Sequence, residues 1–308
     1  MNTLSCHVDE YLAMRRAVGF KLERAGALLT QFVDFADRLG VHTVTVEVAV
    51  RWATLPANAS PVWVASRLSV VRGFARYLQT VDVEAESLPA DLLAARVERS
   101  TPYLYSDSDI AALMAAARAL PNPLKAATFE TLIGLLAATG MRGGEAMRLD
   151  VDDVNWAQGL ITVHDSKFGK SRQVYLHETT LKALQQYCVQ RDQLCPSPAT
   201  ASLLVSTTGA RLCHAVIQPT FRWLLRQAGV GGQEALPRPR IHALRHSFAV
   251  RTLLSWYRNG YDVQARMPAL STYMGHVDPG STYWYLSASP ELLALAAHRL
   301  EASFGSPQ

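Results

Sequence analysis

Residues 239–249 read PRIHALRHSFA. His242 and Arg245 are three apart, so on a helix they share a face, and His246 falls on that side too. A histidine and an arginine presented together suit a phosphate, one through a hydrogen bond and the other through charge. Zinc is the competing reading, since two histidines four apart can bind it. Neither an HExxH pattern nor an acidic ligand accompanies them, so no metal is expected.

Three further basic islands lie far away in the chain. Residues 139–149, TGMRGGEAMRL, end an apolar run, turn at Gly140 and present Arg142 at the start of the next element. Its planar fork suits two phosphate oxygens, and Glu145, three residues on, could cap the helix or hold a neighbouring side chain. Residues 159–164 and 172–176 are short and β-rich, which predicts a hairpin whose turn carries Lys167 and Lys170, with Arg172 just beyond. Turn lysines are usually solvated, but one on a tight hairpin can be delivered to a leaving group as a proton donor. Residues 275–286, GHVDPGSTYWYL, place His276 ahead of Tyr283 and Tyr285.

In that order the four islands resemble the tyrosine recombinase family, the phage-integrase-like enzymes. TGMRGGEAMRL is similar to its first arginine box and SKFGKSRQVYL to its lysine hairpin. HALRHSFA is similar to its His-x-x-Arg box, and MGHVDPGSTYWYL to its closing Gly-His box and tyrosine. The resemblance covers about residues 102–298 and extends more weakly to 1–90. It implies a phosphotyrosine link to DNA made without metal, nucleotide or other cofactor. Arg142 and Arg245 would clamp the scissile phosphate. His242 and His276 would add hydrogen bonds and help manage the nucleophile's proton. Lys167 would protonate the departing 5′ oxygen, and Glu145 would support these groups. The family's spacing puts the nucleophile nine residues after the box-closing histidine, which selects Tyr285 over Tyr283. Gly143-Gly144 depart from the family's pattern and predict a looser approach to Glu145.

The resemblance implies a site-specific recombinase working through a 3′-phosphotyrosyl intermediate and a Holliday junction. A type IB topoisomerase and a non-cleaving DNA-binding subunit are the alternatives. The expected partners are double-stranded DNA carrying recombination sites and three further copies of the chain. The copies would dock through a C-terminal helix after Ser289-Pro290, whose apolar face holds Leu292, Leu293, Leu295, Ala296 and Leu300. The run STYWYLSASPELLALAAHRLE also resembles transposon-encoded members of the recombinase-in-trio type, which adds sister recombinases as candidate partners.

The fold class expected is mainly α with a small β-sheet. A helical, SAM-like core-binding domain is expected over 1–90, a linker over 91–102 and a mixed α+β catalytic domain over 103–308. In the first part, Val62, Val64, Leu68, Val71, Phe74 and Leu78 form one stripe after the turn at 56–61. Arg67, Arg72 and Arg76 fall on other faces, either solvated or placed to contact DNA phosphates. Lys170, Arg172 and Arg240 are the DNA-binding candidates of the second part. Residues 1–100 hold 11 Lys/Arg and 11 Asp/Glu, so the whole net charge of +4 comes from residues 101–308, with 19 and 15. That mild basicity is compatible with nucleic acid. The N-terminus shows no signal-peptide pattern and no run approaches the roughly 20 apolar residues of a membrane span, which predicts a cytoplasmic, nucleoid-associated protein. Cys6, Cys188, Cys195 and Cys213 form no CxxC pair and are expected as reduced thiols.

Overall fold

The computed structural model describes residues 3–93, 101–164, 171–232, 237–276, 278, 280–287 and 289–304. The chain divides into two compact units, Met1–Arg99 and Ser100–Gln308.

The first unit is built from α1 (Thr3–Ala17), α2 (Glu23–Arg38), α3 (Val46–Thr54) and α4 (Pro61–Leu78). Local sequence sets the starts. Thr45 caps α3 by accepting from Val48 N, and Ser60 caps α4 by accepting from Trp63 N, with Pro61 pre-set for a first helical turn. The apolar stripes then meet around Phe32, Trp52, Leu68 and Phe74, all 1% exposed or less, with the Phe32 and Trp52 rings edge to face at 5.4 Å.

One of the predicted phosphate-binding arginines is structural instead. Arg67 is buried, stacks over the Trp52 ring at 3.8 Å and donates from Nη2 to Trp52 O at 2.8 Å. A buried guanidinium committed to an indole face and a carbonyl is not presented to DNA. Arg72 donates to Leu88 O and Leu92 O, tying residues 88–92 to the first unit's core. Arg76 is exposed.

The second unit opens with α5 (Asp107–Arg118), started by a reciprocal Ser106–Asp109 capping box. Next comes α6 (Pro123–Thr139), apolar on nearly all sides. Phe129, Leu132, Ile133 and Leu136 are essentially inaccessible, and α5, α8 (Glu178–Leu194) and α10 (Ala243–Arg258) surround it. Each such leucine contributes about 1.5–3 kcal/mol by leaving water. The short α7 (Gly143–Arg148) leads through a 3-10 turn into an antiparallel sheet of order β1-β2-β3: Val154–Asn155, Leu160–Val163 and Arg172–Tyr175. The predicted hairpin is β2–β3, with Ile161 opposite Val174, and β1 adds a third strand. Ile161, Val163 and Val174 alternate inward onto α6's core.

The remaining helices are α8 (Glu178–Leu194), α9 (His214–Gln227), α10 (Ala243–Arg258), α11 (Val263–Met274), the single turn α12 (Gly280–Tyr283), a 3-10 turn at Trp284–Ser287, and α13 (Pro290–Phe304). α13 packs on α10 and the 3-10 turn of its own chain. Leu292 is buried there while Leu293 is half exposed. All four cysteines are free thiols. Among the described residues no helix is long and apolar enough to cross a membrane.

Candidate active site

The last turn of α11 organises the site. Three consecutive carbonyls there are each taken by an arginine from a different element. Arg172 Nε of β3 donates to Tyr273 O at 2.8 Å, Arg245 Nη2 of α10 to Met274 O at 2.6 Å, and Arg142 Nη2 ahead of α7 to Gly275 O at 2.9 Å. Carbonyls at a helix C-terminus lack intrahelical donors and carry the negative end of the helix dipole, so they attract cations. Arg245 Nη1 also donates to Gly140 O at 2.8 Å, the corresponding end of α6.

Two glycines make these approaches possible. Gly140 and Gly275 end α6 and α11 with φ of 62° and 68°, the left-handed conformation that terminates helices. A Cβ on Gly275 would stand 2.8 Å from Arg172 Nη1, and one on Gly140 would enter the Phe248 ring.

Beneath the arginines lies Glu145, 2% exposed. Its carboxylate accepts from Arg142 N (2.8 Å), Arg142 Nη1 (2.7 Å), Arg172 Nη1 (3.1 Å) and Arg172 Nη2 (2.8 Å). Burial alone would raise this carboxyl, but the hydrogen bonds and charge of Arg172 and Arg142 pull it down to about 2. Gly143-Gly144 therefore do not loosen the approach to Glu145: every carboxylate bond is short. Arg172, expected as a DNA contact beside the hairpin turn, is instead turned onto Glu145, with a side chain 10% exposed.

The histidines and one tyrosine close the site. His242 sits just before α10 with a solvent-exposed edge. Crowding by protein, then the charges of Arg245 and Arg142, hold it below its usual range. His246, one turn on, packs edge to face on His242 at 4.8 Å. Its Nδ1 lies 3.2 Å from the Tyr285 hydroxyl. His276 Nδ1 lies 2.6 Å from Thr282 Oγ1, and its ring stacks on Tyr285 at 6.0 Å. Burial, reinforced by neighbouring positive groups, pushes both His246 and His276 down to about 4. Arg245, 2% exposed, is lowered to about 10 by burial and then Arg142.

The two tyrosines separate cleanly. Tyr285 is 3% exposed, and burial raises its phenol while Arg245 and Arg142 oppose that rise. Tyr283 is 42% exposed and bonds outward to Gln264 Oε1 at 3.4 Å. The structure thus brings together Arg142, Glu145, His242, Arg245, His276 and Tyr285. Lys167 and Lys170 lie outside the described residues. Arg240 is exposed and lines an open groove with Arg222, Arg226 and Arg238 beside α9.

Three members of the cluster carried no site prediction in these roles: Arg172 as the second clamp on Glu145, Thr282 on His276, and His246 on Tyr285. Of these only His246 had a signal in the sequence, its helical register with His242. Among the described residues no group of His, Cys, Asp and Glu is arranged to hold a metal ion.

The sequence profile of the phage integrase family matches residues 104–291. A Sinorhizobium fredii protein named as an integrase/recombinase, y4rB, is 40% identical over 307 residues, covering 98% of each chain. The tyrosine recombinase XerC of Azotobacter vinelandii is 30% identical over 220 residues, covering 71% of this chain and 67% of that one. In fold, the chain is similar to the Tn1549 transposon integrase solved with transposon right end DNA, at a TM-score of 0.66 and 16% identity over 96% of this chain and 98% of that one. With the profile spanning most of the second unit and a relative of this identity along nearly its whole length, the chain belongs to the phage integrase family of tyrosine recombinases.

Proposed function

We propose that this recombinase cuts and rejoins DNA one strand at a time, with Tyr285 as nucleophile and the strand end held as a 3′-phosphotyrosyl link. One observation carries the reading. Of the two tyrosines in the closing box, the buried one has its hydroxyl against His246, with the Arg245 and Arg142 charges acting on it. A phenol in such surroundings is neutral at pH 7 and becomes a nucleophile where cations stabilise its phenolate.

Arg142 and Arg245 clamp the non-bridging phosphate oxygens. Each guanidinium has five N–H donors, and the hydrogen bonds described above use two of them through its terminal nitrogens. Held in place beforehand, they stabilise charge developing at phosphorus without reorganising. His242 and His276 add hydrogen bonds, and Glu145 with Arg172 fixes Arg142. Lys167 protonates the 5′ oxygen. The phosphodiester bond energy is kept in the tyrosyl link, so rejoining needs no nucleotide.

DNA is the partner, bound by both units, with Arg76 of the first and Arg222, Arg226, Arg238 and Arg240 of the second as phosphate contacts. Four copies assemble on two sites through α13, passing through a Holliday junction. The test is a nicked suicide DNA substrate. A covalent protein–DNA band should form, disappear in Tyr285→Phe and persist in Tyr283→Phe. A band surviving Tyr285→Phe would overturn the assignment. Lys167→Ala should cleave slowly, and a 5′-bridging phosphorothioate should restore its rate.

A further inference from the structure

We propose that His246 is a catalytic residue: its Nδ1 takes the proton of the Tyr285 hydroxyl during cleavage and returns it during rejoining. This rests on the reading of Tyr285 as nucleophile.

The geometry singles out His246 among the basic groups near the phenol. Arg245 carries only donors and stays protonated, so it cannot accept a proton. His276 engages Thr282 Oγ1 through Nδ1 at 2.6 Å, and it meets Tyr285 by ring stacking. His242 packs its ring against His246. His246 Nδ1 is the ring nitrogen at hydrogen-bond distance from the hydroxyl, 3.2 Å. Its ring is oriented from two sides, by His242 at 4.8 Å and Trp284 at 5.5 Å. An acceptor held within hydrogen-bond reach of the proton it removes meets the first requirement for a general base.

Protonation state follows from the neighbours. The titratable and charged groups acting on His246 are His242 and Arg245 of its own segment, His276 from the end of α11 and Tyr285 from the 3-10 turn. Burial, the neighbouring His242 and the positive charge of Arg245 keep the imidazole neutral at pH 7, which is the proton-accepting form. A DNA phosphate entering between the arginines and histidines brings negative charge and raises the basicity of His246 only when substrate is present.

The step balances. The Tyr285 O–H bond breaks and its proton goes to Nδ1. The tyrosyl oxygen bonds phosphorus, the bond from phosphorus to the 5′ oxygen breaks, and the 5′ oxygen leaves with a proton from the general acid. In rejoining, His246 gives the proton back to the departing phenolate.

The experiment uses the full chain and two DNA joining substrates offered with a 5′-hydroxyl strand. One ends in a 3′-phosphotyrosine, the other in a 3′-p-nitrophenyl phosphate, whose leaving group needs no proton. His246→Asn keeps an oxygen acceptor near the Nδ1 position but cannot carry a proton. It should slow cleavage of the suicide substrate and joining of the phosphotyrosyl end by about 10²–10³-fold, and leave joining of the nitrophenyl end within a few-fold of wild type. Wild-type cleavage is expected to rise with pH as this imidazole loses its proton, and the variant should lack that rise. His246→Gln serves as a second variant and should behave alike. Equal slowing of both ends would make His246 a structural residue and overturn the proposal, as would wild-type cleavage with an unchanged pH profile. A covalent band in Tyr285→Phe would instead remove the reading beneath it.

Discussion

Arg172 grips Glu145 with both ends of its guanidinium, Nη1 to Oε1 at 3.1 Å and Nη2 to Oε2 at 2.8 Å. Arg142 holds the same carboxylate from another side at 2.7 Å. Two arginines that would repel each other are therefore locked around one buried anion. The arginine proposed to clamp phosphate inherits its position from a strand far away in the chain.

The first prediction concerns that anion. A carboxyl moved from 4.5 to about 2 reflects about 3 kcal/mol of preference for its charged form. Its folded value is depressed, so this stability is present above about pH 4.5 and is lost as pH falls towards 2. Glu145→Gln should cost roughly 3–5 kcal/mol at pH 7, because it leaves two partly buried guanidinium groups short of a counter-charge. Urea unfolding reads this directly, and a loss under 1 kcal/mol would show the pair to be dispensable.

A second pH effect comes from the histidines. His246 and His276 sit at about 4 in the folded chain, against an ordinary value of 6.5. The unfolded chain takes up their protons first, so stability should fall as pH drops from about 6.5 to about 4. Urea midpoints at pH 7 and pH 5 should therefore differ for the wild type, and the difference should shrink by about half in His276→Gln, which leaves His246 in place. An equally steep fall in that variant would assign the acid sensitivity elsewhere.

Arg67 should behave as a core residue. Arg67→Met keeps much of the packing volume but loses the Trp52 contacts, and should cost about 1–3 kcal/mol. DNA affinity and its salt dependence should not change. Arg76→Ala, by contrast, should leave stability alone and reduce the salt slope by about one phosphate contact. Fluorescence anisotropy across a salt series separates the two, and a reduced slope in Arg67→Met would restore that arginine to the DNA surface.

Gly140→Ala should be costly while Gly143→Ala is mild. The first needs a left-handed backbone and pushes its methyl into the Phe248 ring, together about 2–5 kcal/mol. The second sits at a helix start with nothing within 4 Å of its added Cβ. Thermal unfolding of both variants checks the contrast, and similar midpoints would argue against it.

Much of the chain was legible beforehand. The turn at 56–61 stands directly before α4, because turn residues act locally. The β2–β3 pairing followed from the change of period. The four basic islands and their order identified the family, and its counting rule separated Tyr285 from Tyr283. Arg67 was misread because a charged residue beside an apolar stripe looks the same in sequence whether it is solvated or folded over a tryptophan.

Sequence by itself determined which chemical groups this protein carries and in what order: arginines, histidines, a glutamate and a tyrosine on helix starts, a strand and helix ends. Tertiary structure decided which of them meet. Arg172, Arg245 and Arg142 converge on the carbonyls of Tyr273, Met274 and Gly275, and His246 faces the Tyr285 hydroxyl. The physical reason is that the organising partners are backbone carbonyls. Every residue has one, so no side-chain pattern marks them, and only the packed end of α11 leaves these three in need of donors.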